Sequence, residues 1–248
     1  MRLLRIGSIC IAAACSMFAG IPAEAAVIVH GTRQIFPGEQ REITVRVENV
    51  GSNASLVQAW TDAGDKSAKP EDIVTPFILR PPVFRLDGKK SQNLRILLAD
   101  TALPQDQESI YYLNVLDIPP TPQDGEISTG NYLQFSLRTR IKLIYRPKGL
   151  NDVARAPQKL QWQLVEDGKR WALQATNPTP YYVHFGTLGL RVGGVTHLSP
   201  DAPMIAPMST QRYPLQDLRS SPKGGNVQFQ YINDQGGTAA QSVPLSVS

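Results

Sequence analysis

Cysteine is scarce in this chain of 248 residues, and its position is more informative than its number. Both cysteines, Cys10 and Cys15, lie within the first 15 residues, so the remainder of the chain contains no thiol. A disulfide framework and a cysteine-bound metal site are therefore excluded from that remainder. The fold must be stabilised by core burial alone, which a chain of this length can supply.

Histidine and catalytic motifs are also sparse. The three histidines, His30, His184 and His197, have no spacing typical of a metal site. The chain has neither a Gly-x-Ser-x-Gly nucleophile motif nor a phosphate-binding Gly-Lys-Ser/Thr loop. His184 lies within an apolar strand pattern and is interpreted as a strand residue. The glycine-rich segment 186–194 is interpreted as a bulged or turning strand. We expect no enzymatic activity, no metal and no cofactor.

Neither sign of charge dominates the sequence. The chain has 25 lysines and arginines against 21 acidic residues, a net charge of +4. These bases are dispersed and form no patch of the kind that binds nucleic acid. We therefore expect no nucleic-acid binding. No long apolar run follows the N-terminal one, so we also expect no membrane insertion of the mature chain.

The N-terminus is typical of a secretory signal. Two arginines within the first five residues precede an apolar run from Ile6 to Gly20. That run is too short for a membrane span, and Ala23–Ala25 has the small-x-small form cut by signal peptidase. We expect cleavage after Ala25 and export. An alternative is a lipoprotein lipidated at Cys15, although Ala12 stands where leucine is usual.

Alternation of apolar and polar residues dominates the rest of the chain and predicts β-strands. Ile43, Val45 and Val47 alternate with polar residues, and the turn residues 49–53 close that strand. The segment Leu56–Trp60 is predicted to be its partner. Further strands are predicted at Phe77–Leu86, Asn93–Leu98, Ser109–Leu116, Leu160–Val165, Arg170–Ala175, Tyr181–Phe185 and Val227–Ile232.

The predicted strands fall into two sets separated by a hinge at Pro147–Asn151. Seven or so short strands over about 120 residues in the first set, without an amphipathic helix, are typical of an immunoglobulin-like sandwich, and the pattern restarts in the second set. We predict an all-β fold with a signal peptide at 1–25 and two immunoglobulin-like β-sandwich domains at 26–146 and 147–248. The Pro119–Gly130 connection is longer than a usual hairpin loop, which indicates a functional or mobile segment.

One segment, 131–147, is predicted to form a single long strand. Leu133, Phe135 and Leu137 alternate with polar residues, a basic tract follows, and Pro147 ends the regular pairing. On alternation alone, the commoner interpretation is that this apolar face covers the chain's own core.

Five blocks of sequence together resemble the periplasmic chaperones of the chaperone–usher pathway, which assemble pili. In chain order the blocks are Gly31–Arg33; Leu103–Ser109 with Leu113-Asn114 and Ile118–Pro120; Thr139–Pro147; Asn177–Tyr182; and Tyr231–Gly237. They extend over nearly the whole chain after the signal. The resemblance implies two domains in a boomerang arrangement, with the C-terminus of a fimbrial subunit bound in the cleft between them. It also implies binding by β-strand addition.

Matched motif to motif, the resemblance assigns Arg33 and Lys142 to the carboxylate of the subunit's C-terminus. A guanidinium offers a two-point contact, and an ammonium adds a point charge. Without the resemblance, both would be taken for ordinary surface bases. Leu133, Phe135 and Leu137 would fill the open groove of an unfinished subunit. These apolar positions are odd-numbered and Lys142 is even, so twist, a bulge or the position of the cleft must reconcile them.

The same matching assigns Glu108, Arg146 and Asp234 to an ion network that fixes the angle between the domains. An arginine between two acids argues for a structural role over acid–base catalysis. Gln107 departs from the family, which usually has arginine there. The Pro119–Gly130 loop has no flanking cysteines, which favours the short-loop branch of the family.

We therefore expect a non-enzymatic periplasmic chaperone that captures fimbrial subunits and delivers them to an outer-membrane usher. Self-capping by dimerisation would cover its exposed apolar strand. One alternative is a structural pilus subunit or adhesin-like β-sandwich, although the chain has two strand sets and no cysteine beyond the signal. A second alternative is a chaperone for another kind of exported protein.

Overall fold

A computed structural model describes residues 26–99, 103–121, 134–168 and 170–245. The segment 1–25, Leu133 and most of the Pro119–Gly130 connection lie outside the described residues, so the expectations for them stay predictions. Within the described ranges the chain has strands and three short 3₁₀ helices, Pro70–Asp72, Val153–Arg155 and Pro157–Lys159. The prediction of an all-β fold with two sandwich domains is confirmed.

Nine strands form the first sandwich. Their bounds are β1 Val27–Val29, β2 Arg33–Pro37, β3 Glu42–Asn49, β4 Ser55–Asp62, β5 Phe77–Arg80, β6 Val83–Leu86, β7 Ser91–Leu98, β8 Ser109–Ile118 and β9 Leu137–Arg146. One sheet has the order β1-β3-β7-β5, and the other has the order β2-β9-β8-β4-β6. Alternate side chains fill the space between the sheets, and Val45, Leu94 and Leu113 there are fully buried.

Eight strands form the second sandwich. Their bounds are β10 Gln161–Asp167, β11 Arg170–Asn177, β12 Val183–Val192, β13 Val195–Leu198, β14 Met204–Ile205, β15 Ser209–Pro214, β16 Asn226–Ile232 and β17 Thr238–Pro244. One sheet is β10-β11-β15, and the other is β13-β12-β16-β17 with β14 beside β12. The rings of Trp162, Phe185 and Phe229 meet in a core of its own, with centroids 5.4–5.9 Å apart.

The glycine-rich segment 186–194 is a bulged and turning strand, as predicted. Pairing between β12 and β16 shifts register between Phe185 and Thr187. Gly193 and Gly194 then turn the chain into β13 with φ angles of +55° and +89°, a backbone region that favours glycine.

The prediction that Leu56–Trp60 pairs with the strand before it is wrong. β3 pairs with β1 and β7, whereas β4 pairs with β6 and β8 in the opposite sheet. The connection between β3 and β4 crosses from one sheet to the other. It is held there by the buried Asn49 amide, which donates to the carbonyls of Asn53 and Leu86 at 2.8 and 2.9 Å.

Two predicted strands have different bounds in the structure. The segment Phe77–Leu86 is divided at Pro81 and Pro82, and its halves β5 and β6 belong to different sheets. Proline cannot donate to a ladder, which accounts for the break. Of the long strand expected over 131–147, the described part is regular from Leu137, because β8 ends at Ile118 and Asp117 is the last residue of β8 that pairs with it. Residues 131–133 lie outside the described ranges.

Two neighbouring strands of the sheet β2-β9-β8-β4-β6 position the site. They are β2 and β9, which are the first and last strands of that sheet along the chain. Among the strand pairs of the described residues, β2 and β9 form the one parallel pair. β2 covers only the second half of β9, from Lys142, which lies opposite Arg33, to Arg146, which lies opposite Pro37. The first half of β9, from Leu137 to Ile141, therefore pairs with β8 on one side alone within the described chain.

Candidate functional site

Two basic residues lie side by side at the end of the first half of β9, Leu137–Ile141, which pairs with β8 alone within the described chain. Arg33 and Lys142 are direct partners across the parallel β2–β9 pair. Arg33 is only 8% exposed, and its Nη1 donates to the carbonyl of Ile232 in the second domain at 3.4 Å. A cavity of about 540 Å³ opens beside both bases, lined also by Tyr112 and Arg140. The predicted anchor residues are thus brought together, and each faces the second domain.

Neither base has a carboxylate partner within the described chain. Burial and the neighbouring charge of Arg33 lower the pKa of Lys142 to about 8. Burial also lowers the pKa of Arg33, although the charge of Asp234 opposes that change. Two partly desolvated cations are therefore held close together, an arrangement that an incoming anion would relieve.

A histidine from the second domain completes this cluster. The Nδ1 atom of His184 lies 2.9 Å from Nζ of Lys142, and the ring is 3% exposed. Burial, together with the charges of Lys142 and Arg33, lowers the pKa of His184 to about 3. The ring is therefore neutral near pH 7 and accepts a hydrogen bond from the ammonium. His184 is a strand residue as interpreted, but its contact with Lys142 joins two domains and has no signal in the local sequence.

Arg146 lies between two carboxylates, one from each domain. Its Nε donates to Glu108 at 2.7 Å, while Nη1 and Nη2 donate to the two carboxylate oxygens of Asp234 at 2.7 and 2.9 Å. Burial alone lowers the pKa of Arg146, but the hydrogen bonds and charges of Asp234 and Glu108 outweigh it and raise the pKa. Arg146 therefore bridges Glu108 and Asp234, the other two residues matched to an ion network.

Glu108 adds two contacts with the second domain. Its carboxylate accepts from the backbone N–H of Tyr182 at 2.8 Å, and its own N–H donates to the carbonyl of Pro180 at 2.9 Å. Burial raises the pKa of the Glu108 carboxyl, and the charge and hydrogen bond of Arg146 counteract that effect. Loss of the arginine would leave this carboxylate buried without a counter-charge.

The residues proposed to enter a subunit groove are exposed where the structure describes them. Phe135 is 73% exposed and lies before the start of β9, and Leu137, its first residue, is 47% exposed. Leu133 lies outside the described residues. On alternation alone, this face is expected to cover the chain's own core. That interpretation does not hold for Phe135 and Leu137, since neither belongs to the buried cluster of the first domain.

The parity of the strand is resolved by its register. Pairing between β8 and β9 runs from Asp117–Leu137 to Ser109–Tyr145 without a shift, so no bulge lies between Leu137 and Lys142. Odd-numbered Leu143 and Tyr145 face the core of the first domain, and the even-numbered residues face the cleft. Leu137 and Lys142 therefore lie on opposite faces of β9, and Lys142 is the first residue beyond its free edge.

Sequence reasoning missed a second charged cluster on the cleft face of β9. Asp62, which is 1% exposed, accepts from Nε and Nη2 of Arg140 at 2.8 and 2.5 Å, and from Asn114 at 2.7 Å. Arg138 donates to Asn114 at 2.9 Å. The alternating bases of β9 are visible in the sequence, but Asp62 lies 78 residues from Arg140, so no local pattern connects them.

Aromatic rings support both arginines of this cluster. The guanidinium of Arg140 lies 3.5 Å from the ring centroid of Tyr112, and that of Arg138 lies 4.9 Å from the centroid of Trp60. Burial raises the pKa of Asp62, but hydrogen bonds from Arg140, Asn114 and the N–H of Gly64 outweigh it and lower the pKa. The cluster therefore holds the half of β9 that β2 does not cover.

Within the described ranges, no group of three or more histidine, cysteine or acidic side chains is suited to hold a metal ion. None of the helices in the same residues has the length and apolar character needed to cross a membrane.

Two models of pilus-chaperone domains match the chain, one for each sandwich. The model described as "Pili and flagellar-assembly chaperone, PapD N-terminal domain" matches residues 26–151, and that described as "Pili assembly chaperone PapD, C-terminal domain" matches residues 155–243. The probable fimbrial chaperone YadV of Escherichia coli is 40% identical over 213 residues, which is 85% of this chain and 86% of YadV. Chaperone protein MrkB of Klebsiella pneumoniae is 40% identical over 220 residues, which is 88% of this chain and 91% of MrkB.

Solved structures agree with this placement. The crystal structure of the YadV chaperone has a TM-score of 0.76 and 37% identity, and the match covers 89% of this chain and all of that one. A Salmonella enterica structure of the SafA pilin in complex with the SafB chaperone has a TM-score of 0.73 and 25% identity, covering 92% of this chain and 99% of that one. With both domains matched in order, the chain belongs to the PapD-like family of pilus-assembly chaperones, which are non-enzymatic.

Proposed function

We propose that this chaperone captures fimbrial subunits by adding a subunit strand to the free edge of β9. One observation carries the proposal: the edge from Leu137 to Ile141 is unpaired on one side within the described chain, and it ends at Arg33 and Lys142. A free strand edge offers backbone donors and acceptors, and two buried cations at its end offer a place for a carboxylate.

The direction of the bound strand follows from this layout. A subunit carboxylate at Lys142 places the end of the subunit chain where β2 begins, so the preceding residues extend back along the edge toward Leu137. The subunit strand therefore lies parallel to β9, on the edge that β2 occupies farther along. β2 itself limits how far the strand can extend, which fixes the register of the complex.

The carboxylate would be held by charge and by unused donors. Arg33 Nε is buried without a hydrogen-bond partner in the described part of the chain, and the one side-chain hydrogen bond of Lys142 there is with the neutral ring of His184. A carboxylate bound here gains charge-assisted hydrogen bonds and restores the charge balance of the cleft.

The exposed apolar residues would supply the second part of the binding energy. Fully burying a side chain such as Phe135 or Leu137 contributes about 1.5–3 kcal/mol before the cost of ordering the segment. Leu133 belongs to the same proposed set by its position in the sequence. These side chains would fill the apolar groove that is left open in a subunit that lacks its last strand.

The remaining expectations are part of the same proposal. The network of Glu108, Arg146 and Asp234 would fix the angle between the domains. The chaperone would deliver its bound subunit to an outer-membrane usher. Without a subunit, it would cover its exposed apolar strand by dimerisation. The family implies a periplasmic location, and cleavage after Ala25 remains a prediction, as do the domain limits at 26–146 and 147–248.

The first test is capture of the fimbrial subunit encoded beside this chaperone, after co-expression in a bacterial periplasm. We expect wild type to retain the subunit and Arg33→Ala to lose at least about 90% of it, because the carboxylate loses its two-point contact. Arg41→Ala is the matched control, since Arg41 is an exposed arginine of the same domain. Equal capture by Arg33→Ala and wild type would remove the anchor assignment. No capture by either would leave another exported protein as the client.

The second test separates the donated strand from the anchor. Leu137→Ser should weaken capture about tenfold, because the apolar groups of leucine beyond Cβ no longer enter the subunit groove. The control is Ile78→Ser, since Ile78 is 46% exposed and Leu137 is 47% exposed, but Ile78 lies in the other sheet. The same loss of capture in both variants would contradict the assignment of Leu137.

A further inference from the structure

We propose that His184 is a positioning residue of the carboxylate site: it sets the location of the Lys142 ammonium in the cleft by accepting its hydrogen bond at Nδ1. This inference rests on the proposed function, because it concerns how the anchor is prepared before a subunit arrives. It adds the second domain to a site whose two bases belong to the first.

The contact itself is the first argument. A lysine side chain has four flexible bonds, so a fixed ammonium position requires a partner. Within the described residues, the one side-chain hydrogen bond of Lys142 is that with His184 Nδ1, at 2.9 Å. Arg33, the strand partner of Lys142, repels it. His184 is therefore the group that can hold the ammonium in one place.

The ring is rigid enough to serve as a reference point. His184 is 3% exposed and stacks on the ring of Tyr182, with centroids 6.2 Å apart and planes 21° apart. Its backbone pairs with Met204 of β14, and its neighbours in β12, Val183 and Phe185, are core residues of the second domain. The position of Nδ1 is thus set by the second sandwich.

The protonation of the ring fits acceptance and not donation. Burial and the nearby cations keep the ring neutral, so when Nδ1 accepts from Lys142 the proton resides on Nε2. Nε2 is buried and has no hydrogen-bond partner in the described residues. A buried unsatisfied donor is unfavourable. The ring therefore accepts the hydrogen bond of Lys142 at Nδ1 while its Nε2–H stays without an acceptor in the described residues. This unfavourable arrangement indicates a role in binding.

The other charged groups near the ring do not replace it. His184 lines a cavity of about 210 Å³ with Arg33, Glu108, Arg146 and Asp234. The two carboxylates there are engaged by Arg146, and Arg33 carries the same charge as Lys142. A change at His184 should therefore act on subunit binding through Lys142 alone.

The test is titration of a synthetic peptide matching the C-terminal strand of the fimbrial subunit, as free acid and as C-terminal amide. We expect His184→Leu to weaken binding of the free acid about tenfold and to leave binding of the amide unchanged. His184→Asn should restore most of the affinity, because its side-chain oxygen can occupy the place of Nδ1. His184→Gln extends one bond farther, toward Nε2, and should not restore it. Thermal unfolding of each variant verifies the fold.

The proposal has three ways to fail. It is overturned if His184→Leu weakens both peptides equally, if Asn and Gln behave alike, or if the effect of His184→Leu persists in a Lys142→Met background. If His184→Leu does not fold, the Asn and Gln pair decides. His197→Leu is the control, since His197 contacts the carbonyl of Gln216, outside the cleft. A wild type that binds acid and amide equally would instead refute the carboxylate anchor of the proposed function.

Discussion

Two basic residues on the same face of β9 have opposite surroundings. Arg146 makes hydrogen bonds with two carboxylates, and these raise its pKa. Lys142 lies four residues before Arg146 on the same strand and has no carboxylate partner among the described residues, and its pKa is lowered to about 8. The balanced charge of Arg146 joins carboxylates of both domains. Charge that is left unbalanced is available to a ligand.

The residues on either side of Lys142 strengthen this comparison. Arg140, two residues before it on the same face, is paired with the buried Asp62. Lys142 thus lies between compensated arginines, and Arg33 beside it makes no ion pair within the described residues either. Within the described residues, a carboxylate is absent at one position of the row, and this supports the proposed anchor position without reference to any relative.

The largest expected effect is on stability, at the balanced cluster. Arg146→Met should lower the free energy of unfolding by about 3–5 kcal/mol, because Glu108 is left as a buried charge without its partner. Urea denaturation followed by circular dichroism measures this. Arg95→Met is the control, since Arg95 pairs with Glu42 on the surface and its loss should leave the stability nearly unchanged. Equal losses in the two variants would remove the distinction between buried and surface pairs.

At the unbalanced cluster, we expect binding and stability to change in opposite directions. Lys142→Met should reduce subunit capture about 100-fold, yet raise the free energy of unfolding at pH 7 by about 1–2 kcal/mol after allowance for solvent screening. The folded-state pKa of about 8 is below the ordinary 10.5. The penalty is therefore fully present below pH 8 and disappears as the pH rises toward 10.5.

The control for Lys142→Met is Lys148→Met, because Lys148 is exposed and follows the same strand. Capture and denaturant unfolding should both remain at the wild-type value in that variant. A fall in stability of Lys142→Met would contradict the view that the lysine is retained for binding.

The smallest effect is a dependence on pH. Because the pKa of Lys142 is about 8 in the free protein, the charged fraction, and with it the affinity for a subunit peptide, should fall about tenfold between pH 7 and pH 9. Titration calorimetry at several pH values measures this. Lys142→Arg should give a flat profile over the same range, since arginine stays charged. A flat wild-type profile would place Lys142 in a more solvated setting.

Strand content and the motif residues were accessible from the sequence because each depends on neighbours in the chain. Alternation at Ile43–Val47 and at Leu137–Arg146 is local, and it predicted strands that the structure contains. Strand pairing was less accessible. Leu56–Trp60 was assigned to the wrong partner because the choice between two sheets is made by tertiary contacts of Asn49, not by the alternation itself.

The sequence by itself predicted export. It also determined that this protein is all-β, has no thiol after the N-terminal segment, and is similar to pilus chaperones over nearly its whole length. Only the tertiary structure decided which bases are balanced. Asp62 reaches Arg140 across 78 positions, and Asp234 reaches Arg146 across 88. His184 approaches Lys142 from the other domain. Such charge pairing depends on distances between side chains far apart in the chain, and those distances exist only once both sandwiches have formed.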